Sequence, residues 1–326
     1  MVTITWRGTA TATASIAHGG ETRGTITLLR RELILTPDGT RVHVPIISGN
    51  SFRGLLRRTG EELLRDILNY EGELPLAAAH ALRAGGSLAK TGKEPLSGRR
   101  LATLRALVPH IGVFGCAGGG RIIDGCLQVG KVIPHMVETT HLITPVPPAG
   151  RHLATAFEAT QIETYVRQDD ADTHAFTSLT SRPQTSSGSG SPGPLLNPVD
   201  PATGELTDDA VAELTPSAAA DAQDPTTRSL LMLYRIETFP AGTQFATWLR
   251  LSHSTDLEAA FFADVLDAYT ANARLGGRGA IGHGTIRLDL TTTGSADEKD
   301  PRDRVDWRAH LREHRDDAMT ALGTLA

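Results

Sequence analysis

Partial alternation of apolar and polar residues opens the chain. Met1 to Ala17, rich in Thr, Ile and Ala, predicts a strand that His18, Gly19 and Gly20 bring to an end. Leu28 to Leu35 predicts a second extended stretch, turned by Pro37-Asp38-Gly39. The period then changes. Phe52, Leu55, Leu56, Leu63, Leu64, Ile67 and Leu68 share one face at helical spacing, and Ser48-Gly49-Asn50-Ser51 ahead of them offers N-cap residues. Gly85 to Gly98 reads as a loop carrying Lys90 and Lys93, Leu101 to Val108 as a helix, Gly112 to Gly120 as a glycine-rich loop, and Arg121 to Ile133 as a strand.

Further on, Leu230 to Ile236 predicts a strand, Pro240-Ala241-Gly242-Thr243 a turn, and Gln244 to Ser252 the returning strand. Thr255 and Glu258 have capping-box spacing. The helix they start, Asp256 to Ala273, carries Leu257, Phe261, Val265, Leu266 and Tyr269 on one side. Gly276 to Gly284 is a second glycine-rich loop, Thr285 to Leu290 a strand, and the charged tail from Ser295 a peripheral helix. Between the halves, about His135 to Arg228, composition shifts: Pro145, Pro147 and Pro148 open it, and Ser186 to Pro194 is a run of Ser, Gly and Pro. It reads as an insertion whose tip, roughly Thr180 to Asp224, is a long loop. With insertions removed the order is strand, helix, strand, strand, helix, strand. This predicts an α+β, ferredoxin-like (RRM-like) domain from residues 1–134 and 229–292, an inserted lobe at 135–228 and a charged tail at 293–326.

Composition narrows the class. The chain has 326 residues, 40% hydrophobic and 21% charged, as a soluble globular protein does. No apolar run reaches the roughly 18 residues of a membrane span, and the N-terminus lacks a signal-peptide layout, so a cytoplasmic protein with no membrane partner is expected. Two cysteines, Cys116 and Cys126, exclude a disulfide scaffold. The net charge of −5, taken whole, argues against nucleic acid. Counted by segment it does not. Residues 1–168 balance at +6, residues 169–228 at −8, residues 229–296 at −1 and residues 297–326 at −2. Of the basic residues four are lysines, Lys90, Lys93, Lys131 and Lys299; the rest are arginines, whose planar fork suits phosphate, although a GC-rich coding bias yields the same excess.

Candidate chemistry centres on loops. Ser48 to Ser51 opens a helix, whose free N–H groups and dipole favour an anion, and Arg53, Arg57 and Arg58 follow within two turns. An ordinary capped helix with a solvated basic face, aided by the pair Glu61 and Arg65, fits the same residues. Gly277-Arg278-Gly279-Ala280-Ile281-Gly282 satisfies G-x-G-x-x-G, but its helix precedes and its strand follows, which excludes a Rossmann site. What remains is a loop able to approach a ligand backbone, with Arg278 and His283 at hand, or a helix C-cap turning sharply. Gly92-Lys93 fails as a P-loop because Ser87 and Glu94 occupy the positions of Gly and Ser/Thr. His110, Cys116, Cys126 and His135 are too widely spread for familiar zinc spacings, so no metal and no cofactor is expected. There is no G-x-S-x-G elbow. Asp169, Asp170 and Asp172, beside Arg167 and His174, form an acidic cluster that suits Mg²⁺ or, more ordinarily, solvent.

Several segments together resemble a known family. VPIISGNSFRGLLRR (Val44 to Arg58) is similar to the signature of the RAMP superfamily, the repeat-associated proteins of CRISPR systems. Val113-Phe114-Gly115, then Gly120-Arg121-Ile122-Ile123-Asp124, Tyr234 to Phe245, Gly276 to Gly284 and His18-Gly19-Gly20 resemble further family segments in family order, over about residues 1–290 apart from the insertion. One uninterrupted copy with a large insertion resembles the backbone subunit of CRISPR effector complexes, of type III or, preferred here, type IV.

The resemblance implies a subunit that stacks head to tail along a guide RNA, pushes a thumb between bases and holds the guide for pairing with target DNA or RNA, together with other subunits of the complex. The implied RNA contacts are His18, Gly49, Asn50, Ser51, Arg53, Arg57, Arg121, Arg167, Gly277, Arg278 and His283, with the thumb in the His135 to His174 region and Tyr165 beside Arg167 as a stacking candidate. Type III backbones cut RNA with an aspartate before the Gly-Ser motif. The equivalent position here is Thr25 or Thr27, and Glu21, Glu32 and Asp38 are the acids nearby. A threonine cannot replace a carboxylate in phosphodiester cleavage, so binding without cutting is expected and no catalytic residue is assigned. The rivals are a RAMP endoribonuclease that processes precursor RNA through His18 or His283, and a structural protein without nucleic acid.

Overall fold

The computed structural model describes residues 1–86, 96–118, 120–144, 152–167, 232–293 and 300–325. Lys90, Lys93, Lys299, Asp169, Asp170, Asp172, His174 and the Ser-Gly-Pro run lie outside these residues. Two compact units are distinguished, Met1–Thr164 with Arg235–Ala326, and Tyr165–Tyr234. The elements in chain order are β1 (Val2–Ala12), β2 (Gly19–Arg23), β3 (Ile26–Leu29), β4 (Arg31–Leu35), β5 (Arg41–Pro45), α1 (Gly49–Leu68), α2 (Leu76–Ala84), α3 (Gly98–Leu107) and α4 (Pro109–Phe114). There follow β6 (Cys116–Gly118), β7 (Arg121–Ile123), β8 (Leu127–Val129), β9 (Ile133–Pro134), β10 (Gln161–Arg167), β11 (Met232–Thr238), β12 (Gln244–Ser254), α5 (Asp256–Ala271), β13 (Ile286–Thr293), α6 (Trp307–Glu313) and α7 (Arg315–Gly323). Helices combine with mainly antiparallel sheets, so the class is α+β.

β1 organises the larger unit. Its alternation buries Val2, Ile4, Trp6, Ala10 and Ala12 on one face and leaves Thr3 and Arg7 exposed on the other. It sits inside a sheet of order β13-β1-β12-β8, with β9 also paired to β12. Its partners are β12, from Val2↔Ser254 to Thr11↔Gln244, and β13, from Thr5↔Thr293 to Ala12↔Ile286, both antiparallel. Along the chain the strands of this sheet run β1, β8, β9, β12 and β13, with α1 between β1 and β8 and α5 between β12 and β13.

The helices start where their caps say. Ser48 is the N-cap of α1, and Thr255 and Glu258 close the capping box of α5 with bonds of 3.2 Å and 2.8 Å. α1 buries Phe52, Leu56, Leu64 and Leu68. α5 buries more than one side, because it is packed twice: Phe262 meets Trp6 of the sheet at 5.3 Å, and Phe261 meets Trp307 of α6 at 4.9 Å.

That second contact corrects the expectation of a peripheral tail. Trp307 is 1% exposed, and Leu311, Ala318 and Leu322 are buried with it. The indole N–H donates to Asp264 of α5 at 2.7 Å, and Arg302, Arg304 and Arg308 pair with Asp264, Asp267, Asp300 and Asp256 around it. The charges that mark the tail as surface in the sequence clamp it onto the core instead.

Other elements depart locally. His18 to Gly20 do not end the sheet structure; they run into β2. Arg121 to Ile133 is three short strands, β7 paired with β6, and β8 and β9 with β12. β11 and β12 flank the expected turn but lie in different sheets: β11 joins β10 and β3, and the Pro240–Thr243 turn carries the chain across to β1. α4 occupies the first residues of the loop expected at Gly112, started by Pro109 at its first turn. In the smaller unit, the described residues are the end of β10 and the start of β11, where the rings of Tyr165 and Tyr234 stack at 5.5 Å.

Candidate nucleic-acid interface

The N-terminus of α1 is built by three parts of the chain. Ser48 takes the extended conformation of an N-cap, and its Oγ accepts the Ser51 N–H at 3.2 Å. The Ser48 N–H in turn donates to Nε2 of His18 at 3.2 Å. This requires an unprotonated Nε2, and burial, with Arg30 nearby, pushes the imidazole below its ordinary pKa and keeps it neutral. Gly49 is pressed against the end of β8: a Cβ there would stand 2.6 Å from the Val129 carbonyl oxygen. Asn50 is exposed on the first turn.

The second glycine loop reaches the same place. Gly277 donates its N–H to Ala17 at 2.7 Å, and Gly284 donates to Ser15 at 2.8 Å. Arg278 is exposed, with a left-handed φ of 60°, and Arg274 supports the loop by donating to the Gly279 carbonyl at 2.9 Å. Residues 15–18 thus form a seam, with the Gly276–Gly284 loop on one side and the α1 N-terminus on the other. His18, Gly49, Asn50, Ser51, Gly277 and Arg278 are brought together along it.

Other candidates are taken into the protein. Arg57 is 7% exposed; its fork donates to the Gly115 and Phe114 carbonyls, both at 2.7 Å, and its guanidinium lies 5.6 Å from the Phe114 ring centre. Burial lowers its pKa to about 10. This corrects its reading as an RNA contact: it ties α1 to the end of α4. Arg53 is half-buried and donates to the same Phe114 carbonyl at 2.8 Å, its pKa lowered by burial. His283 is a second correction. It is 3% exposed, with Nδ1 2.9 Å from Ser15 Oγ and Nε2 3.7 Å from a Glu163 carboxylate oxygen. It fastens the loop from behind. Arg121, on the β6–β7 hairpin away from the seam residues in sequence, is exposed and donates to the Leu96 carbonyl at 3.2 Å. Arg167 ends β10, and its side chain lies outside the described part.

Thr25 and Thr27 flank and enter β3, which runs parallel to β11, and the Thr25 carbonyl accepts the Arg235 N–H at 2.9 Å. Glu21 pairs with Arg23, and Asp38 is held below the usual carboxylate range by Thr36 and Thr40 in the turn. Among the described residues, the buried carboxylate close to β3 is Glu237. Burial opposes its charge, but Arg31, the Leu29 N–H and Thr160 hold its pKa below the usual value.

Among the described residues no group of three His, Cys, Asp or Glu side chains is arranged to hold a metal ion. Burial raises Cys116 to about 11 and Cys126 to about 12, which makes both poor nucleophiles. No helix of the described residues is long and apolar enough to cross a membrane.

One cationic surface escaped the sequence reading. On the exposed face of the main sheet Arg7 stands directly across from Trp248, and Arg250 follows two residues along β12. The period-two phase that buries Val2, Ile4 and Trp6 places Arg7 outside, so the signal was present in the alternation of β1.

No family model and no curated protein matches the chain. Among solved structures it is similar to a chain of a Type IV-B CRISPR Complex, at 30% sequence identity, with 91% of this chain and 93% of that chain covered and a TM-score of 0.53.

Proposed function

The chain belongs to the family of type IV CRISPR-complex subunits, and on that premise we propose that it is the non-catalytic backbone subunit of a CRISPR effector complex, binding guide RNA along the seam between its two glycine loops. The observation that carries this reading is the convergence. Motifs some 230 residues apart in sequence, Ser48–Ser51 and Gly276–Gly284, are joined through Ala17 and His18, by a backbone bond from Gly277 to Ala17 and a bond from the Ser48 N–H to the His18 imidazole. Exposed Asn50 and Arg278 with the start of α1 offer N–H groups and a guanidinium to phosphates. Phosphate contacts carry no sequence information, so such a subunit takes any guide and leaves reading to base pairing with target DNA or RNA.

In this reading the main sheet with α1 and α5 is a ferredoxin-like palm of the RAMP type, residues 135–228 supply the thumb, and copies stack head to tail beside other subunits of the complex. The absence of a carboxylate at Thr25 and Thr27 supports binding without cleavage. The endonuclease reading has less support, since His18 accepts the Ser48 N–H and His283 is buried between Ser15 and Glu163.

The test is purification at low salt from cells that carry a matching CRISPR array. Long RNA of uniform length copurifies if the proposal holds, and protein free of RNA overturns it. Arg278→Glu with Asn50→Asp reduces that RNA several-fold without changing the fold. Arg53→Glu is a poorer test, because it also removes the bond to Phe114.

A further inference from the structure

We propose that the exposed face of the main sheet is a second, separate site for single-stranded nucleic acid, in which a base stacks on Trp248 and its flanking phosphates lie on Arg7 and Arg250. It rests on the reading above for the class of ligand alone, and uses none of the seam residues.

Three tryptophans are present, and they are treated differently. Trp6 is 9% and Trp307 1% exposed, as their size demands; Trp248 is 41% exposed in the middle of a sheet. The protein supports the ring without covering it. The indole lies against Gly130, where a Cβ would come within 2.5 Å of Nε1, and the Gly130 N–H donates to the Trp248 carbonyl at 2.8 Å. Glycine is what allows strand end and ring to meet so closely. Arg7 is the cross-strand partner of Trp248, and Arg250 pairs across β1 with Thr5, so both guanidinium-bearing residues adjoin the ring on one face. Neither makes a side-chain hydrogen bond or ion pair among the described residues. Gln128, exposed and opposite Arg250, adds an amide. The acid of this face, Asp289, is already neutralised by Arg287 at 3.2 Å.

A cleft of about 450 Å³ opens beside the ring, lined by Arg7, Gly130, Lys131, Ile143, Ala246 and Trp248. That is within the range of small-molecule sites and roomy for one base. Lys131 on its rim is paired with Glu32. A flat aromatic between two uncompensated guanidiniums fits a polyanion that carries flat rings, which is the pattern of sequence-tolerant single-strand binding.

The experiment uses the full chain as purified and follows tryptophan fluorescence while ten-nucleotide oligo(dT) and oligo(rU) are added at low salt. Since Trp6 and Trp307 are buried, quenching by stacking reports on Trp248. Wild type shows saturable quenching. Trp248→Ala abolishes it and weakens binding, followed by anisotropy of a labelled probe, by about tenfold or more, whereas Trp248→Phe keeps most of the affinity. Arg7→Ala with Arg250→Ala lowers the salt slope by about 1.4. Probe binding by Trp248→Ala equal to wild type overturns the proposal, whether or not guide RNA copurifies. Quenching by the probe in protein that never copurifies RNA overturns the guide-binding reading and leaves this site standing. With guide-loaded protein, loss of the probe response identifies the guide as occupant and retention identifies a second strand; both uphold the site.

Discussion

Arginines on the helical side of the molecule and arginines on its exposed sheet face have the same chemistry and opposite employment. Arg57 and Arg53 on α1 are turned inward, and three N–H groups of theirs satisfy the Phe114 and Gly115 carbonyls at the end of α4. Arg7 and Arg250 stand on the sheet with no partner among the described residues. The first pair fixes the fold; the second leaves charge to be met by something else. Arginine content therefore measures nothing about nucleic acid until each guanidinium is traced to what it touches.

The contrast can be broken by experiment. The largest effect expected is for Arg57→Met, which leaves the Gly115 carbonyl unmatched and the Phe114 carbonyl with Arg53 alone, and lowers stability by about 2–3 kcal/mol in urea unfolding. Arg53→Met, with one such bond and partial exposure, loses about 1 kcal/mol. Arg7→Ala with Arg250→Ala stays within about 0.5 kcal/mol of wild type in the same assay, while its oligonucleotide affinity falls. A stable Arg57→Met protein, or an unstable sheet-face double variant, would erase the distinction.

A subtler effect concerns acid. His110 is buried against Phe114 and Phe261, and burial lowers its pKa to about 3; His18 is shifted the same way. Neutral imidazole is favoured in the folded state, so the contribution is complete above about pH 6.5 and is lost as pH falls, by up to about 1.4 kcal/mol per pH unit for each group. His110→Phe flattens that acid limb in thermal melts taken between pH 7 and pH 5. An unchanged limb would mean that other groups cause it.

Local signals were readable where local physics decides. Ser48 and the Thr255–Glu258 pair announced their helices, and the alternation of β1 announced its buried face. The partnership of the three loops was not written in any of them. It depends on Ala17 and His18 reaching residues far along the chain. Arg57 looked like surface because its acceptors lie 57 and 58 residues away, and His283 because Ser15 is 268 residues away. Tail burial was hidden by charge, although Trp307, Leu311 and Leu322 are spaced for one helical-hairpin face. The separate sheets of β11 and β12 had no local mark at all.

The placement of β1 also sets a timetable for synthesis. Its two hydrogen-bonded neighbours, β12 and β13, are among the last strands to be made. At roughly 5–20 residues per second, the first strand emerges and then waits about ten to fifty seconds for β12, and slightly longer for β13. During that interval a strand with one apolar face and both edges open is available to any other nascent chain. A subunit made in many copies from one message would be most exposed to this, which makes the delay between the first strand and its neighbours the stage where a chaperone would matter most.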